Sequence, residues 1–272
     1  MAAVPVSVSR SVPSTRRPDP AQGVFETLLV RDGRPVELAA HLARLRASLA
    51  ALYPDLTLPR LDVPVDRGPD GPLSTGTSVE ALRITVAPGR GELSVTAERR
   101  PATGHFATEN GGKVTSDAVS LLSVPLPGGL GAHKWVDRSL LDEAQARLPS
   151  DALPLIVDED GSALEASRAN VFAVRDGALL TPPADGRILP GVTRMRVLEL
   201  AGALGIEARE PVLPRDDLLA ADEVFLTGSV RGIEPAVSLD GVALAGGGEI
   251  AARLAAGLRH AWTGLKTTAS FG

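Results

Sequence analysis

Near its middle the chain carries Pro125-Leu126-Pro127-Gly128-Gly129, two prolines and two glycines within five residues. Proline has no amide hydrogen to give and glycine is the residue hardest to order, so neither a helix nor a strand is expected to run through this point. A linker is expected over 125–130. At about 150 residues per domain, 272 residues leave room for one domain on each side. The expectation is a small N-terminal α/β domain over 21–124 and a larger C-terminal domain over 131–272. Residues 1–20 hold Pro5, Pro13, Pro18 and Pro20 among serines without periodicity, and read as a disordered tail.

Within the first half, Val24 to Val30 is strand-like, Asp32-Gly33 is a hairpin turn, and Pro35 to Leu38 returns. Leu42, Leu45, Leu49 and Leu52 recur at spacings of three and four, which predicts a helix from Ala39 to Tyr53, stopped by Pro54. Leu82, Ile84 and Val86 alternate, and Leu93 and Val95 resume the alternation after Pro88-Gly89-Arg90-Gly91, so an antiparallel hairpin is expected. In the second half, helices are expected over Arg138–Leu148, Val192–Leu204 and Glu249–Leu258. Strands are expected over Leu153–Val157, Asn170–Val174 and Glu223–Leu226. Hairpins mixed with helices predict an α+β or mixed α/β protein of two lobes, not a doubly wound parallel sheet.

Composition removes several classes of function. A net charge of −5 argues against binding to nucleic acid, which needs a basic excess to displace counterions. The absence of cysteine removes thiolate nucleophiles, disulfides and sulfur-ligated metals. No apolar run approaches the roughly 20 residues that span a bilayer, and a cytoplasmic protein is expected. His41, His105, His133 and His260 are scattered without metal-ligand spacing, so they read as packing or surface residues and no metal is expected.

Of 28 basic residues only Lys113, Lys134 and Lys266 are lysine, which leaves 25 arginines. A lysine in such a chain points to chemistry that arginine cannot perform, namely Schiff-base formation and proton loss near neutrality. Lys113 lies in a glycine-rich loop and Lys266 near the end. Lys134, beside Trp135 at the start of a helix, is placed where desolvation would favour its neutral amine; a solvated lysine at a helix start is the plain alternative.

Glu165 leads into a strand, and alternation can turn its carboxylate inward, where it needs a cationic partner; an edge-strand glutamate paired with Arg168 is the alternative. Leu189-Pro190-Gly191-Val192-Thr193-Arg194 opens a helix with free amides and a hydroxyl, which suits an anion as well as an ordinary cap. Leu226-Thr227-Gly228-Ser229 is a second hydroxyl-bearing turn of the same kind. Arg44 falls off its helix's apolar stripe, the place of a surface arginine whose guanidinium could also reach a phosphate.

Taken in order, these segments resemble the class IV aminotransferase family, the fold-type IV pyridoxal-phosphate enzymes. The resemblance is carried by Gly23-Val24-Phe25-Glu26-Thr27-Leu28, His41-Leu42-Ala43-Arg44-Leu45, His133-Lys134-Trp135-Val136-Asp137-Arg138, Glu165 to Phe172, Leu189 to Arg194, and Ala221 to Ser229. It implies that Lys134 is the catalytic residue and holds pyridoxal 5'-phosphate through a Schiff base. It further implies that Glu165 faces the pyridine nitrogen, that Arg44, Val192, Thr193 and Ser229 hold the phosphate, and that Leu189 packs against the ring.

Within the family, the His133-Lys134-Trp135 entry, Asp137-Arg138 after the lysine and the short Gly23-Val24-Phe25-Glu26-Thr27 opening are together most similar to 4-amino-4-deoxychorismate lyases, which release pyruvate and leave 4-aminobenzoate. Transamination of branched-chain or D-amino acids is the rival reading, and a non-catalytic dimeric module a third. Asp137 departs from the asparagine common in the lyases, and Ser139 from the tyrosine of branched-chain enzymes. Arg99 and Arg168 are the candidate partners for substrate carboxylates. A homodimer, a small-molecule amine substrate and an aminodeoxychorismate synthase partner are what the resemblance implies; nucleic acid and membrane are not expected as partners.

Overall fold

A computed structural model describes residues 16–57, 79–102, 119–245 and 248–263. The first half builds a four-stranded sheet and one helix. β1 (Val24–Arg31) reverses at Asp32 and Gly33, whose φ angles of 49° and 73° form the left-handed pair that an Asp-Gly hairpin turn requires. The return strand β2 (Arg34–Pro35) is only two residues long, shorter than expected, because α1 (Leu38–Leu52) begins at once behind Glu37. β3 (Val79–Pro88) and β4 (Leu93–Pro101) form the expected hairpin, and the sheet order is β2-β1-β3-β4.

Period-two alternation divides this sheet cleanly. Val24, Leu28 and Val30 of β1 join Leu82, Ile84 and Val86 of β3 and pack against Leu45 and Leu49 of α1. The alternate positions Phe25, Thr27 and Arg83 therefore face away from α1, toward the second half of the chain.

That second half opens with β5 (Val119–Pro125), α2 (Ser139–Gln145), β6 (Ala152–Val157), β7 (Ser162–Ala166), β8 (Ala169–Arg175) and β9 (Ala178–Leu180). There follow α3 (Val192–Ala203), β10 (Ala208–Arg209), β11 (Leu213–Pro214), α4 (Arg215–Leu219), β12 (Glu223–Gly228), β13 (Gly232–Leu239), β14 (Val242–Ala243) and α5 (Glu249–Thr263). The strand order is β10-β9-β8-β12-β13-β5-β6-β7-β11, with β14 on β13. An extra pairing of β7 with β8 closes β8, β12, β13, β5, β6 and β7 into a barrel. Its interior is filled by one parity of each strand, for example Val171 and Ala173 of β8 with Val224 and Leu226 of β12. The other parity, Phe172 and Phe225 stacked 5.3 Å apart, packs outward against α3 and α5.

The barrel corrects two expectations. The breaker cluster does not mark the change of sheet: β5 precedes it and already lies between β13 and β6, so the change falls between β4 and β5. The breakers instead form the turn that leaves β5, where Gly129 at φ +63° sits so close to the Arg187 carbonyl that a Cβ would lie 2.1 Å from its oxygen. Nor are residues 16–20 a free tail. The Asp19 amide donates to Asp137 at 2.8 Å, and the Tyr53 hydroxyl donates to the Pro20 carbonyl. The remainder of that segment, with Lys113, Lys266 and His105, lies outside the described residues. α2 is shorter than the helix expected over Arg138–Leu148, and α5 runs five residues past Leu258.

Candidate active site

One cavity of about 320 Å³ opens between the outward face of the small sheet and the rim of the barrel, at the lower end of the roughly 300–1,000 Å³ usual for small-molecule sites. Lys134 lines it, though not from a helix start as expected. Its segment is extended and bridged to β1: the Phe25 amide donates to the Lys134 carbonyl at 2.8 Å, and the Val136 amide to the Gly23 carbonyl at 3.0 Å. Gly23 must be glycine for this approach, because at φ +91° a Cβ would stand 2.2 Å from the Val86 carbonyl oxygen. The neighbours are pinned as well. Trp135 Nε1 donates to the Leu130 carbonyl at 2.8 Å, and His133 Nδ1 lies 3.0 Å from Ser48 Oγ. Lys134 Nζ is thereby held 4.9 Å from the centre of the Phe25 ring. Burial, and then the charge of Arg44, bring its ammonium down from 10.5 to about 8, against the pull of Glu26 and Glu165.

Glu165 lines the same cavity and owes its position to a bulge. Strict alternation from Ala163, which points into the barrel, would turn Glu165 inward too. A register shift, in which Ile156 opposes Glu165 and Val157 opposes Ala163, places Glu165 on the outer side instead. Both of its carboxylate oxygens accept from the Leu189 amide at 3.3 Å. Among the described residues it has no ion pair; Arg168, the partner offered by the plain reading, is bound to Glu234 at 2.7 Å. Burial raises the Glu165 carboxyl from 4.5 to about 8.

Arg44 is not a surface arginine. Its Nε and Nη2 donate to the two oxygens of Glu26 at 2.8 and 2.6 Å, and its Nη1 to the Pro190 carbonyl at 2.9 Å. His41 Nδ1 completes the group at 2.8 Å from Glu26 Oε2. Burial alone would raise the Glu26 carboxyl, but hydrogen bonds from His41 and Arg44 outweigh it and bring it to about 2. Sequence reasoning passed over Glu26 as a functional residue. The signal was present: it is the one carboxylate on the face of β1 otherwise made of Val24, Leu28 and Val30.

The start of α3 forms another wall. Gly191 is its N-cap and supplies no side chain, so the first amides of the helix have no capping acceptor. A Cβ at Gly191 would lie 2.0 Å from Asn170 Oδ1. Thr193 Oγ1 and Ser229 Oγ are 3.3 Å apart, and Thr227 Oγ1 is buried with no hydrogen-bond partner among the described residues. Leu189, Val192, Thr193, Ser229 and Arg168 all line the cavity with Lys134, Glu165 and Arg44. Arg99 does not: it lies on the edge strand β4, 3.7 Å from Glu80. Arg168, though in the wall, shares Glu234 with Arg231.

The two groups near pH 8 have a thermodynamic consequence. In the folded cofactor-free protein Glu165 keeps a proton that the unfolded chain releases near 4.5, so its contribution to stability falls as pH rises from 4.5 to about 8. Lys134 releases its proton near 8 instead of 10.5, and its contribution rises over that interval. The melting temperature of wild type minus that of Glu165→Gln is therefore expected to decline between pH 5 and 8. A difference that stays flat over this range contradicts the placement of Glu165.

A lysine amine, a buried carboxylate, an uncapped helix start and an arginine meet around one cavity. Residues 23–239 match the family described as amino-transferase class IV, and the chain belongs to that family. Its members are pyridoxal-phosphate enzymes, and pyridoxal phosphate is this protein's cofactor. Over 104 residues the chain is 43% identical to the branched-chain-amino-acid aminotransferase of Escherichia coli (strain K12), a match of 38% of this chain and 34%, about a third, of that one. A Methanocaldococcus jannaschii protein provisionally named a branched-chain-amino-acid aminotransferase is 31% identical over 80% of this chain and 79% of its own.

Among solved structures, a hypothetical aminotransferase from Mycobacterium tuberculosis in its pyridoxal-phosphate-bound form superposes with a TM-score of 0.75, at 26% identity over 90% of both chains. A Legionella pneumophila protein provisionally named a 4-amino-4-deoxychorismate lyase gives 0.69, at 23% identity over 89% of this chain and 91% of that one. The architecture is thus the mixed α/β fold-type IV fold that the sequence resemblance implied. No helix among the described residues is long and apolar enough to cross a membrane.

Proposed function

We propose that this protein is a pyridoxal-phosphate lyase that releases pyruvate from 4-amino-4-deoxychorismate and leaves 4-aminobenzoate. The observation that carries the reading is the meeting, in one cavity, of the Lys134 amine with Glu165, Arg44 and the uncapped start of α3.

These residues fit the cofactor. Its phosphate matches the free amides at Val192 and Thr193, the hydroxyls of Thr193 and Ser229, the unpartnered hydroxyl of Thr227 and the guanidinium of Arg44. Its protonated pyridine nitrogen matches Glu165, a buried carboxylate without a cation, and its ring matches Leu189. When bound, the cofactor supplies an electron sink for the carbon beside the substrate nitrogen. Lys134 would then act as base and acid: its buried Nζ, which burial brings down to about 8 in the cofactor-free protein, would take the proton from that carbon. Glu26 holds Arg44 through two hydrogen bonds, where its guanidinium would meet the phosphate, and Glu165 would keep the ring nitrogen protonated.

The lyase branch is supported by the entry to Lys134, by Arg138 after it and by the short Gly23-Val24-Phe25-Glu26-Thr27 opening, with Asp137 the departure, and the name of the Legionella neighbour agrees with it, although likeness at that identity speaks for the fold alone. Transamination is the second reading, favoured by the names of the Escherichia coli and Methanocaldococcus relatives. A homodimer and a synthase that delivers the substrate belong to the same proposal, and light scattering that finds only monomer removes the dimer.

The test has two stages. Added pyridoxal phosphate should give an absorbance band that borohydride abolishes, with the label on the Lys134 peptide; without the band the cofactor assignment to this cavity fails. The loaded enzyme, given 4-amino-4-deoxychorismate generated in situ, should release 4-aminobenzoate and pyruvate. Conversion to the pyridoxamine form by an amino acid alone, without those products, assigns transamination in its place.

A further inference from the structure

β7 and β8 are joined by the turn Ser167-Arg168, so their ladder pairs Ala166 with Ala169 and then Glu165 with Asn170. Directly opposed residues in such a ladder carry their Cβ atoms roughly 4.5–5.5 Å apart. On its other side Asn170 pairs with Thr227 of β12, so Glu165, Asn170 and Thr227 stand side by side across three strands. All three line the cavity. The same face of β8 and β12 continues with Phe172 and Phe225, which pack under α3 and α5, so the polar row stops where the cavity does.

Asn170 is 4% exposed, and a carboxamide so deeply buried needs acceptors for its N–H groups. Its Nδ2 donates to the Leu189 carbonyl at 2.9 Å and reaches Glu165 Oε2 at 3.5 Å. A carbonyl can only accept, which fixes the nitrogen on the side of Leu189 and turns Oδ1 toward Gly191, where a Cβ would come within 2.0 Å of it. Leu189 closes the circuit: its amide donates to the Glu165 carboxyl while its carbonyl accepts from Asn170. One side chain thus touches the buried carboxyl, the loop that leads into α3 and the N-cap of that helix. The charged groups that face Glu165, namely Lys134, Arg44 and Arg138, act on it from beyond ion-pair distance. Among the described residues only Leu189 and Asn170 form hydrogen bonds with its carboxyl.

We propose that Asn170 is a positioning residue that acts through Glu165, holding that carboxyl at a fixed place relative to the start of α3. This rests on the function proposed above, in which Glu165 meets the ring nitrogen of the cofactor and the start of α3 its phosphate; Asn170 then matches the two sites to one rigid ligand. A donor beside a carboxylate favours its charged form, so Asn170 also works against the burial that keeps Glu165 protonated. Neither replacement of similar shape can do this. Leucine has no donor, and an ionised aspartate has none either and adds a like charge beside Glu165.

Carboxyl NMR of the cofactor-free protein, made with isotope-labelled glutamate, reads Glu165 directly, its resonance being the one that Glu165→Gln removes. Asn170→Leu and Asn170→Asp are each expected to raise the Glu165 titration midpoint by at least about half a pH unit, and the aspartate variant serves alone should leucine prevent folding. A residue that only fills space would lower the melting temperature and leave that midpoint where it was. In the loaded enzyme Asn170→Leu should lower kcat at least about tenfold and displace the cofactor absorbance band in the same direction as Glu165→Gln, and the double variant should match Glu165→Gln alone in both. An unmoved midpoint in a folded variant, or a double variant whose losses multiply, overturns the positioning role. If no cofactor band forms, the proposed function fails, and the titration of Glu165 still decides whether Asn170 acts through it.

Discussion

Lys134→Ala is expected to abolish turnover, a loss of at least the ~10²–10⁴-fold that a positioned acid–base group provides, with the loss of covalent attachment added to it. Binding of the cofactor should persist, because the proposed phosphate contacts do not involve the lysine. Borohydride should then fix no label on the protein, and a small exogenous amine should restore part of the rate by supplying the missing proton acceptor. The fold is expected to survive, for a reason visible in the backbone. What ties this segment to β1 is the Lys134 carbonyl and the Val136 amide, and the alanine variant retains both. Removal of a buried ammonium also removes its desolvation penalty, so the melting temperature of the cofactor-free variant should equal or exceed that of wild type. Undiminished turnover, or a borohydride label elsewhere in the chain, refutes the assignment.

Several parts of this arrangement were legible in the residues because the information is local. Asp32-Gly33 and Asp176-Gly177 announce their hairpins through left-handed backbone that few other pairs adopt so readily. The leucine stripe of α1 and the glycine after α3 mark helices in the same way. Lys134 stood out because the other structured cations are almost all arginine. The same bias hid which arginines belong to the site. With 25 arginines in the chain, nothing in their spacing tells which one lacks a carboxylate. That depends on contacts such as Arg168 with Glu234, 66 residues away, and Arg99 with Glu80 across a strand pair. Barrel closure escaped for a related reason. The β7–β8 pairing and the bulge beside Glu165 are set by how three strands share one register, and a period-two reading of β7 alone assigns Glu165 to the wrong face.

Glu165→Gln tests that face directly and should have the second-largest effect. Glutamine keeps the length of the side chain and an oxygen for the Leu189 amide, so the bulge, the wall and the cofactor contacts at Arg44 and α3 should remain. What it cannot carry is the negative charge. In wild type, burial without a cationic partner pushes the carboxyl up to about 8, and a protonated ring nitrogen placed against it would draw it back to the ionised form. The amide offers no such exchange, so the ring nitrogen would lose its proton and with it the capacity to withdraw electrons from the substrate carbon. The expected result is a fall in kcat on the order of a hundredfold or more, with cofactor affinity little changed and the absorbance band displaced. Glu165→Asp should keep the charge but retract it by one methylene, and lose less than glutamine. A glutamine variant that turns over at close to the wild-type rate, with its band unmoved, would mean that Glu165 does not face the cofactor ring.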